Sequence, residues 1–261
     1  MTDKILTQRH GAVAWIVFNN PARHNAVSLE MWQGAADALR GFTDDKSVRL
    51  IGITGAGEKS FISGADISKF EDERAKAEAV KKYDTISTGF VEALATIEKP
   101  TLARINGYCL GGGLNVALCC DLRIASADSQ FGIPAAKLGL GYVYKNFRRL
   151  ADIVGLAHAR EITFTGERID AARAYEMGLV TRVVPKARLD DEVTKMTVTI
   201  AANAPLTVRA FKINALEHAK DPADRDLRRS RDAVKACFDS QDYVEGRRAF
   251  MEKRPPQFKG H

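Results

Sequence analysis

The stretch Asn106–Asp121 reads NGYCLGGGLNVALCCD, and it decides how the middle of this chain folds. It follows the short β-rich run TLARI, and its three consecutive glycines precede the apolar, helix-like segment LNVALCC. Consecutive glycines allow the backbone to approach a ligand closely, and N–H groups at a helix N-terminus attract negative charge. The pattern therefore predicts a strand, a glycine-rich turn and a helix, in which the turn either binds an anion or is an ordinary connection.

A second segment, RLIGITGAGEKSFISGADI at 49–67, has the same succession of a predicted strand, a turn and a loop of small residues. Two such units favour an α/β spiral over a single Rossmann unit. The chain lacks the G-x-G-x-x-G of dinucleotide sites, and the G-K-[ST] of a P-loop is absent as well. Two loops that each offer backbone N–H groups suit the oxyanion of a thioester enolate, although small residues also form ordinary turns.

Bulk composition limits the classes of protein that this chain can represent. With 261 residues, 45% apolar and 28% charged, it reads as globular, with one large domain or one domain and an appendage. No apolar run approaches the roughly 20 residues of a membrane span, and Asp3 and Arg9 interrupt the start where a secretory signal is apolar. We therefore expect a cytoplasmic location and no membrane partner.

Net charge and the residue types that commonly bind metals say less about function than the motifs do. A net charge of +6 suits nucleic acid, a phosphate-bearing molecule such as coenzyme A, or simply a solvated surface. No RNA- or DNA-binding motif is present, so a nucleic-acid partner is not expected. The four cysteines lack paired C-x-x-C spacing and the five histidines are scattered, so neither a metal site nor a disulfide framework is predicted.

The end of the chain is predicted to be helical. Helical segments at 187–203, 205–219 and 222–252 are separated by proline-containing breaks. We expect an α/β core with the ligand site at 1–200 and a C-terminal helical region at 201–261. The apolar faces of that region need a partner, either the core or another subunit.

Six segments, spread in order over nearly the whole chain, resemble those of the crotonase superfamily, the enoyl-CoA hydratase/isomerase family. They are SGADI, NGYCLGGG, CDLRIAS, QFGIP, TGERIDAARAYEMGLVTRVVP and EGRRAFMEKRPPQFKG. The resemblance implies an α/β, crotonase-like spiral of ββα units with a C-terminal helical trimerisation region. It also implies acyl-CoA thioester substrates, no cofactor beyond the coenzyme A of the substrate, and a homotrimer or a dimer of trimers.

The resemblance also assigns roles to residues. Ala65 and Gly112 match the positions whose backbone N–H groups form the family's oxyanion hole around the thioester carbonyl. Two loops match regions that contact coenzyme A. The residues expected there are Arg23, His24, Ala26, Ser63, Gly64 and Asp66.

The catalytic positions depart from the family pattern. Similar hydratases carry glutamates where this chain has Asn115 and Ala135, and neither side chain can transfer a proton at neutral pH. Tyr142, in the spacing L-G-x-x-Y, resembles methylmalonyl-CoA decarboxylase-like members, which nevertheless carry a histidine where Ala65 stands and a glutamate at the Asn115 position. The alternatives are a malonyl-type decarboxylase that uses Tyr142, a tyrosine that merely packs in a loop, a catalytically silent acyl-CoA-binding paralogue, and an RNA-binding role.

Overall fold

The protein is built from ββα units whose strands divide between two sheets in the part of the chain that is described. The computed structural model describes residues 2–66 and 77–261. The strands are β1 (Ile5–His10), β2 (Val13–Phe18), β3 (Leu50–Gly55), β4 (Ser60–Ile62), β5 (Thr101–Ile105), β6 (Tyr108–Leu110), β7 (Leu122–Ser126), β8 (Gln130–Gly132), β9 (Ile169–Asp170) and β10 (Arg182–Val184). The helices are α1 (Leu29–Asp44), α2 (Ala77–Thr96), α3 (Gly112–Cys119), α4 (Tyr144–Thr165), α5 (Ala171–Glu176), α6 (Leu189–Ala202), α7 (Pro205–His218), α8 (Leu227–Phe238) and α9 (Gln241–Met251).

Successive strands of each unit enter different sheets. The larger sheet has the order β1-β2-β3-β5-β7-β10 and is parallel except for the β1–β2 hairpin. The smaller sheet has the order β4-β6-β8-β9, in which β9 is antiparallel to β8. The recurring unit predicted from the sequence is confirmed, and it extends to a further copy formed by β7, β8 and α4.

The core lies between the two sheets and the helices that cover them. Every residue of β2, VAWIVF, is buried, because the parallel part of the larger sheet is covered on both faces. The main cluster contains four fully buried phenylalanines, which are Phe18, Phe61, Phe90 and Phe131. On the other face of the sheet, Leu189 and Val193 of α6 pack against Val13 and Trp15 of β2.

Some helix boundaries differ from the predictions. The single helical segment predicted at 222–252 is wrong, because α8 ends at Phe238 and Ser240 begins a new helix as the N-cap of α9. Its hydroxyl accepts a hydrogen bond from the backbone N–H of Tyr243 at 3.1 Å and so caps α9. The sequence also predicts a long polar helix across 67–98; its part at 67–76 lies outside the described residues, and α2 accounts for Ala77–Thr96. Across both described ranges, no helix combines the length and apolarity needed to cross a membrane.

The C-terminal helices attach to the core through charged side chains. Lys212 of α7 is only 7% exposed and pairs with Asp121, which follows α3. Glu98 pairs with Arg209 at 2.5 Å and with Arg229 at 2.6 Å. These pairs fix the C-terminal helices against the core strands that carry the candidate site.

Candidate active site

The loop after β4 is fixed by the segment that precedes α1. Ala65 forms a parallel bridge with Val27, whose N–H donates to the carbonyl of Gly64 at 2.9 Å. The N–H of Asp66 donates in turn to the carbonyl of Val27 at 3.0 Å. Gly64 has φ +114°, which only glycine adopts readily. The N–H of Ala65 has no hydrogen-bond acceptor among the described residues and is available to a ligand.

The start of α3 is pressed against this loop. A methyl group at Gly113 would lie 2.1 Å from the carbonyl oxygen of Ile62, so only glycine fits there. Gly112 is the first helical residue, and its N–H has no acceptor in the described part of the chain. A methyl group at Gly64 would lie 3.9 Å from the Gly112 nitrogen. The structure thus brings the Ala65 and Gly112 loops into contact, while their role as an oxyanion hole stays a prediction.

Asn115 and Tyr142, which are 27 positions apart in sequence, form a hydrogen bond. The Tyr142 hydroxyl donates to Oδ1 of Asn115, and both residues are half-buried. Burial raises the pKa of Tyr142 above its ordinary value, although the bond to Asn115 opposes the shift. The phenol is therefore neutral at physiological pH.

Sequence reasoning missed a charged group that pairs with the helix following this tyrosine. Glu92 of α2 pairs with Lys145 at 2.7 Å and with Arg149 at 3.3 Å, both on α4. Burial alone would raise the pKa of Glu92, but the hydrogen bonds and positive charges of Lys145 and Arg149 outweigh it and lower the pKa. Glu92 is therefore held as a paired carboxylate and cannot substitute for a missing acid.

Ala135 lies on the short 3-10 helix Pro134–Leu138 that follows β8. The start of this helix is tied to the turn before α3, because the N–H of Gly111 donates to the carbonyl of Gly132 at 2.8 Å. Ala135 and Asn115 thus belong to segments that leave neighbouring strand ends. The methyl of Ala135 packs against the main core and offers no acid or base.

The two loops expected to contact coenzyme A meet each other. Arg23, with a 56% exposed side chain, pairs at 3.2 Å with the buried carboxylate of Asp66. The N–H of Ser63 donates to the carbonyl of His24 at 3.1 Å, and the His24 ring contacts the Ser60 hydroxyl at 3.0 Å. Ala26 is buried beneath this surface. A positively charged side chain therefore remains partly open to solvent where the loops join.

Asn25 holds these loops together and is a second residue that sequence reasoning missed. It is fully buried, accepts from the N–H of Asn20 at 2.9 Å, and donates to the carbonyls of Ala56 at 2.9 Å and Ser60 at 2.8 Å. Its φ of +56° is one that asparagine tolerates better than most residues. Asparagine in a turn after proline was the available signal.

No group of three or more histidine, cysteine, aspartate or glutamate side chains in the described ranges is arranged to hold a metal ion. The histidine of this region, His24, contacts Ser60 and lies edge-on to the ring of Tyr108 at 5.6 Å.

Comparison with known proteins gives one consistent result. The sequence model of the enoyl-CoA hydratase/isomerase family matches residues 8–261. A crotonyl-CoA hydratase of Syntrophomonas wolfei is 34% identical over 256 residues, which cover 98% of each chain. A short-chain-enoyl-CoA hydratase of Clostridium acetobutylicum is 32% identical, covering 97% of this chain and 96% of that protein.

Solved structures agree. The crystal structure of an enoyl-CoA hydratase/carnithine racemase from Magnetospirillum magneticum has a TM-score of 0.94 at 36% identity, covering 100% of this chain and 97% of that one. An enoyl-CoA hydratase from Bacillus anthracis has a TM-score of 0.89 at 30% identity, covering 99% and 100%. The predicted crotonase-like α/β fold is confirmed.

Proposed function

Because this chain belongs to the enoyl-CoA hydratase/isomerase family, we propose that it binds acyl-CoA thioesters and stabilises their enolates with the backbone N–H groups of Ala65 and Gly112. The observation that carries the proposal is the contact between two loops that each present an unpaired backbone N–H. Such donors, fixed before the substrate arrives, stabilise negative charge as it develops on the thioester oxygen.

The reaction departs from ordinary hydration in this proposal. The relatives' names point to hydratase activity, and because hydratases are lyases we propose that this enzyme is a lyase. Hydration requires a base to activate water and an acid to protonate the α-carbon. Asn115 can orient a water molecule but cannot accept its proton, and Ala135 can do neither. We therefore expect slow hydration, since general acid and general base catalysis each contribute about 100- to 10000-fold.

A malonyl-type decarboxylation is the second candidate, favoured by the neutral Tyr142 hydroxyl bonded to Asn115. In that reaction the electrons of the breaking C–C bond form the enolate as carbon dioxide leaves. It needs the oxyanion hole and no strong base. Under this candidate Tyr142→Phe lowers the decarboxylation of methylmalonyl-CoA. Unchanged turnover in that variant removes the tyrosine from the mechanism.

Coenzyme A recognition is assigned to the joined loops. Arg23 and His24 lie on the exposed rim, and Ser63 and Asp66 lie on the facing loop. Titration calorimetry with acetyl-CoA, longer esters and the corresponding free acids tests this assignment. We expect the thioesters to bind more tightly than the free acids. Thioesters that bind no more tightly than the acids, or that do not bind, contradict the proposal. Binding without turnover of any ester supports the catalytically silent alternative.

We also propose a homotrimer or a dimer of trimers, in which the helical region at 201–261 forms the contact and the α/β core at 1–200 carries the site. Several large apolar side chains of this region are exposed, including Phe211, Phe238 and Phe250 at 70%, 61% and 81%. They line an open apolar cavity of about 660 Å³. A monomer by light scattering at micromolar concentration contradicts this assembly. The cytoplasmic location stays a prediction.

A further inference from the structure

The direction of one hydrogen bond fixes how Asn115 faces the site. A tyrosine hydroxyl has a single proton, and that of Tyr142 is directed to Oδ1 of Asn115. The amide is therefore oriented with its other end, the NH₂ group, turned away from Tyr142. A carboxylate at this position could only accept hydrogen bonds, whereas the amide presents two N–H donors.

Those donors are unused and accessible. Nδ2 of Asn115 has no hydrogen-bond acceptor among the described residues. The buried side-chain polar atoms without a partner in that part of the chain are Ser28 Oγ and Asn106 Oδ1, so Nδ2 of Asn115 is not shut off from the surface. A ligand atom can therefore reach it.

Helix geometry places these donors beside the backbone donor of Gly112. Asn115 is three residues after Gly112, so both lie on the same face of α3. Side chains on a helix tilt toward its N-terminus, which brings the amide back over the first turn. A thioester whose carbonyl oxygen binds at Gly112 thus has its acyl chain close to Asn115.

We propose that Asn115 is the specificity-determining residue, that its amide donates to an oxygen on the β-carbon of the acyl group, and that Tyr142 acts as its positioning residue. The substrate class is then acyl-CoA thioesters with a β-carboxylate or a β-oxo group. This inference rests on the proposed acyl-CoA function and names the substrates of that same site. Because the Tyr142 proton is engaged by Asn115, the tyrosine is not the group that touches the substrate.

Two matched pairs of ligands test the proposal by calorimetry. Acetoacetyl-CoA and butyryl-CoA have equal carbon counts and differ in the β-oxo oxygen. Malonyl-CoA and propionyl-CoA differ in the β-carboxylate, and product analysis corrects for any turnover. We expect a preference of about 3- to 10-fold for the oxo compound and roughly 10- to 100-fold for the carboxylate, as for single neutral and charged hydrogen bonds. A preference in only one pair identifies which oxygen is recognised.

The variants separate the two residues. Asn115→Leu should abolish the preference, and Tyr142→Phe should lose most of it although Asn115 remains. The double variant should behave like Asn115→Leu, because the tyrosine acts only through the asparagine. Tyr144→Phe, at a 74% exposed tyrosine two positions away, is the matched control and should leave the preference unchanged.

Asn115→Asp keeps the shape of the side chain and replaces the donors with an acceptor, so it covers the case in which Asn115→Leu does not fold. It should reverse the malonyl-CoA preference by at least about 10-fold, because two carboxylates then face each other. A preference that survives in Asn115→Leu or Asn115→Asp overturns the proposal. So do additive losses in the double variant, which would mean that Tyr142 contacts the ligand directly.

The result with the unaltered protein distinguishes this inference from the proposed function. If butyryl-CoA and acetoacetyl-CoA bind equally well, and malonyl-CoA equals propionyl-CoA, the role of Asn115 is refuted while the acyl-CoA function stands. If no thioester binds at all, both proposals fail.

Discussion

Replacing Gly112 with proline removes a single proposed oxyanion donor with little disturbance of the fold. Gly112 is the first residue of α3, where proline is well tolerated because that N–H has no partner within the helix. A carbon added at Gly112 would lie 3.9 Å from the Trp32 ring and 4.0 Å from the Gly64 Cα, which are ordinary contacts. Proline at this position therefore removes the donor, and its Cβ fits the space beside Gly112.

The expected loss is large. Removal of one oxyanion donor lowers turnover by about 100- to 1000-fold, equivalent to roughly 3–4 kcal/mol of transition-state stabilisation. The assay is kcat/KM on the best CoA ester, with a thermal melt to confirm folding. Gly112→Ala is the matched control, because it adds a carbon and keeps the N–H.

A second readout does not depend on turnover. The ¹³C resonance of a carbonyl-labelled thioester should shift downfield on binding the unaltered protein and Gly112→Ala, since the donors polarise the carbonyl, and should shift much less with Gly112→Pro. If the folded proline variant retains kcat/KM within about threefold of the alanine variant, the backbone of Gly112 is not the donor and the reasoning is refuted.

Three further predictions concern stability and assembly. Gly113→Ala should destabilise the protein by about 1–3 kcal/mol in urea titrations, because the added methyl meets the Ile62 carbonyl oxygen at 2.1 Å. Gly41→Ala is the control, since nothing lies within 4 Å of the methyl added there. Equal stability of the two variants counts against the close contact at Gly113. Burial raises the pKa of Cys119 from 9.0 to about 11. The unfolded chain therefore loses this proton first, and the free energy of unfolding should fall by roughly 3 kcal/mol as the pH rises from 9 to 11. The fall should be smaller in Cys119→Ala, and an identical fall contradicts the raised pKa of this thiol. Phe250→Glu should shift the mass measured by light scattering from a trimer toward the single chain, whereas an unchanged assembly places the interface elsewhere.

Much of the backbone arrangement could be predicted from the sequence, because glycine-rich turns and β-strands depend largely on the residues within them. The glycines before α3 and the SGAD loop are enough to identify both backbone-donor segments from the sequence. Their contact is a consequence of strand order, since β4 and β6 are neighbours in the smaller sheet. The sequence indicates the recurring unit, and the structure supplies the strand order.

The side-chain partners could not be predicted, because they join segments that are distant along the chain. The bond from Tyr142 to Asn115 spans 27 positions, and the pair between Glu92 and Lys145 spans 53. Neither spacing follows a helical or strand period, so no pattern indicates it. The division between α8 and α9 had a local cause in Ser240, but a serine inside a polar segment is too common to predict a cap.

The most direct test of the account is a side-by-side measurement of kcat/KM for crotonyl-CoA hydration by the unaltered protein and by the double variant Asn115→Glu, Ala135→Glu. We expect slow hydration by the unaltered protein and faster hydration by the double variant, because the variant supplies the missing acid and base. If the unaltered protein hydrates crotonyl-CoA as fast as an enzyme with both glutamates measured in the same assay, Asn115 and Ala135 do not limit hydration and the proposed slow hydration is contradicted.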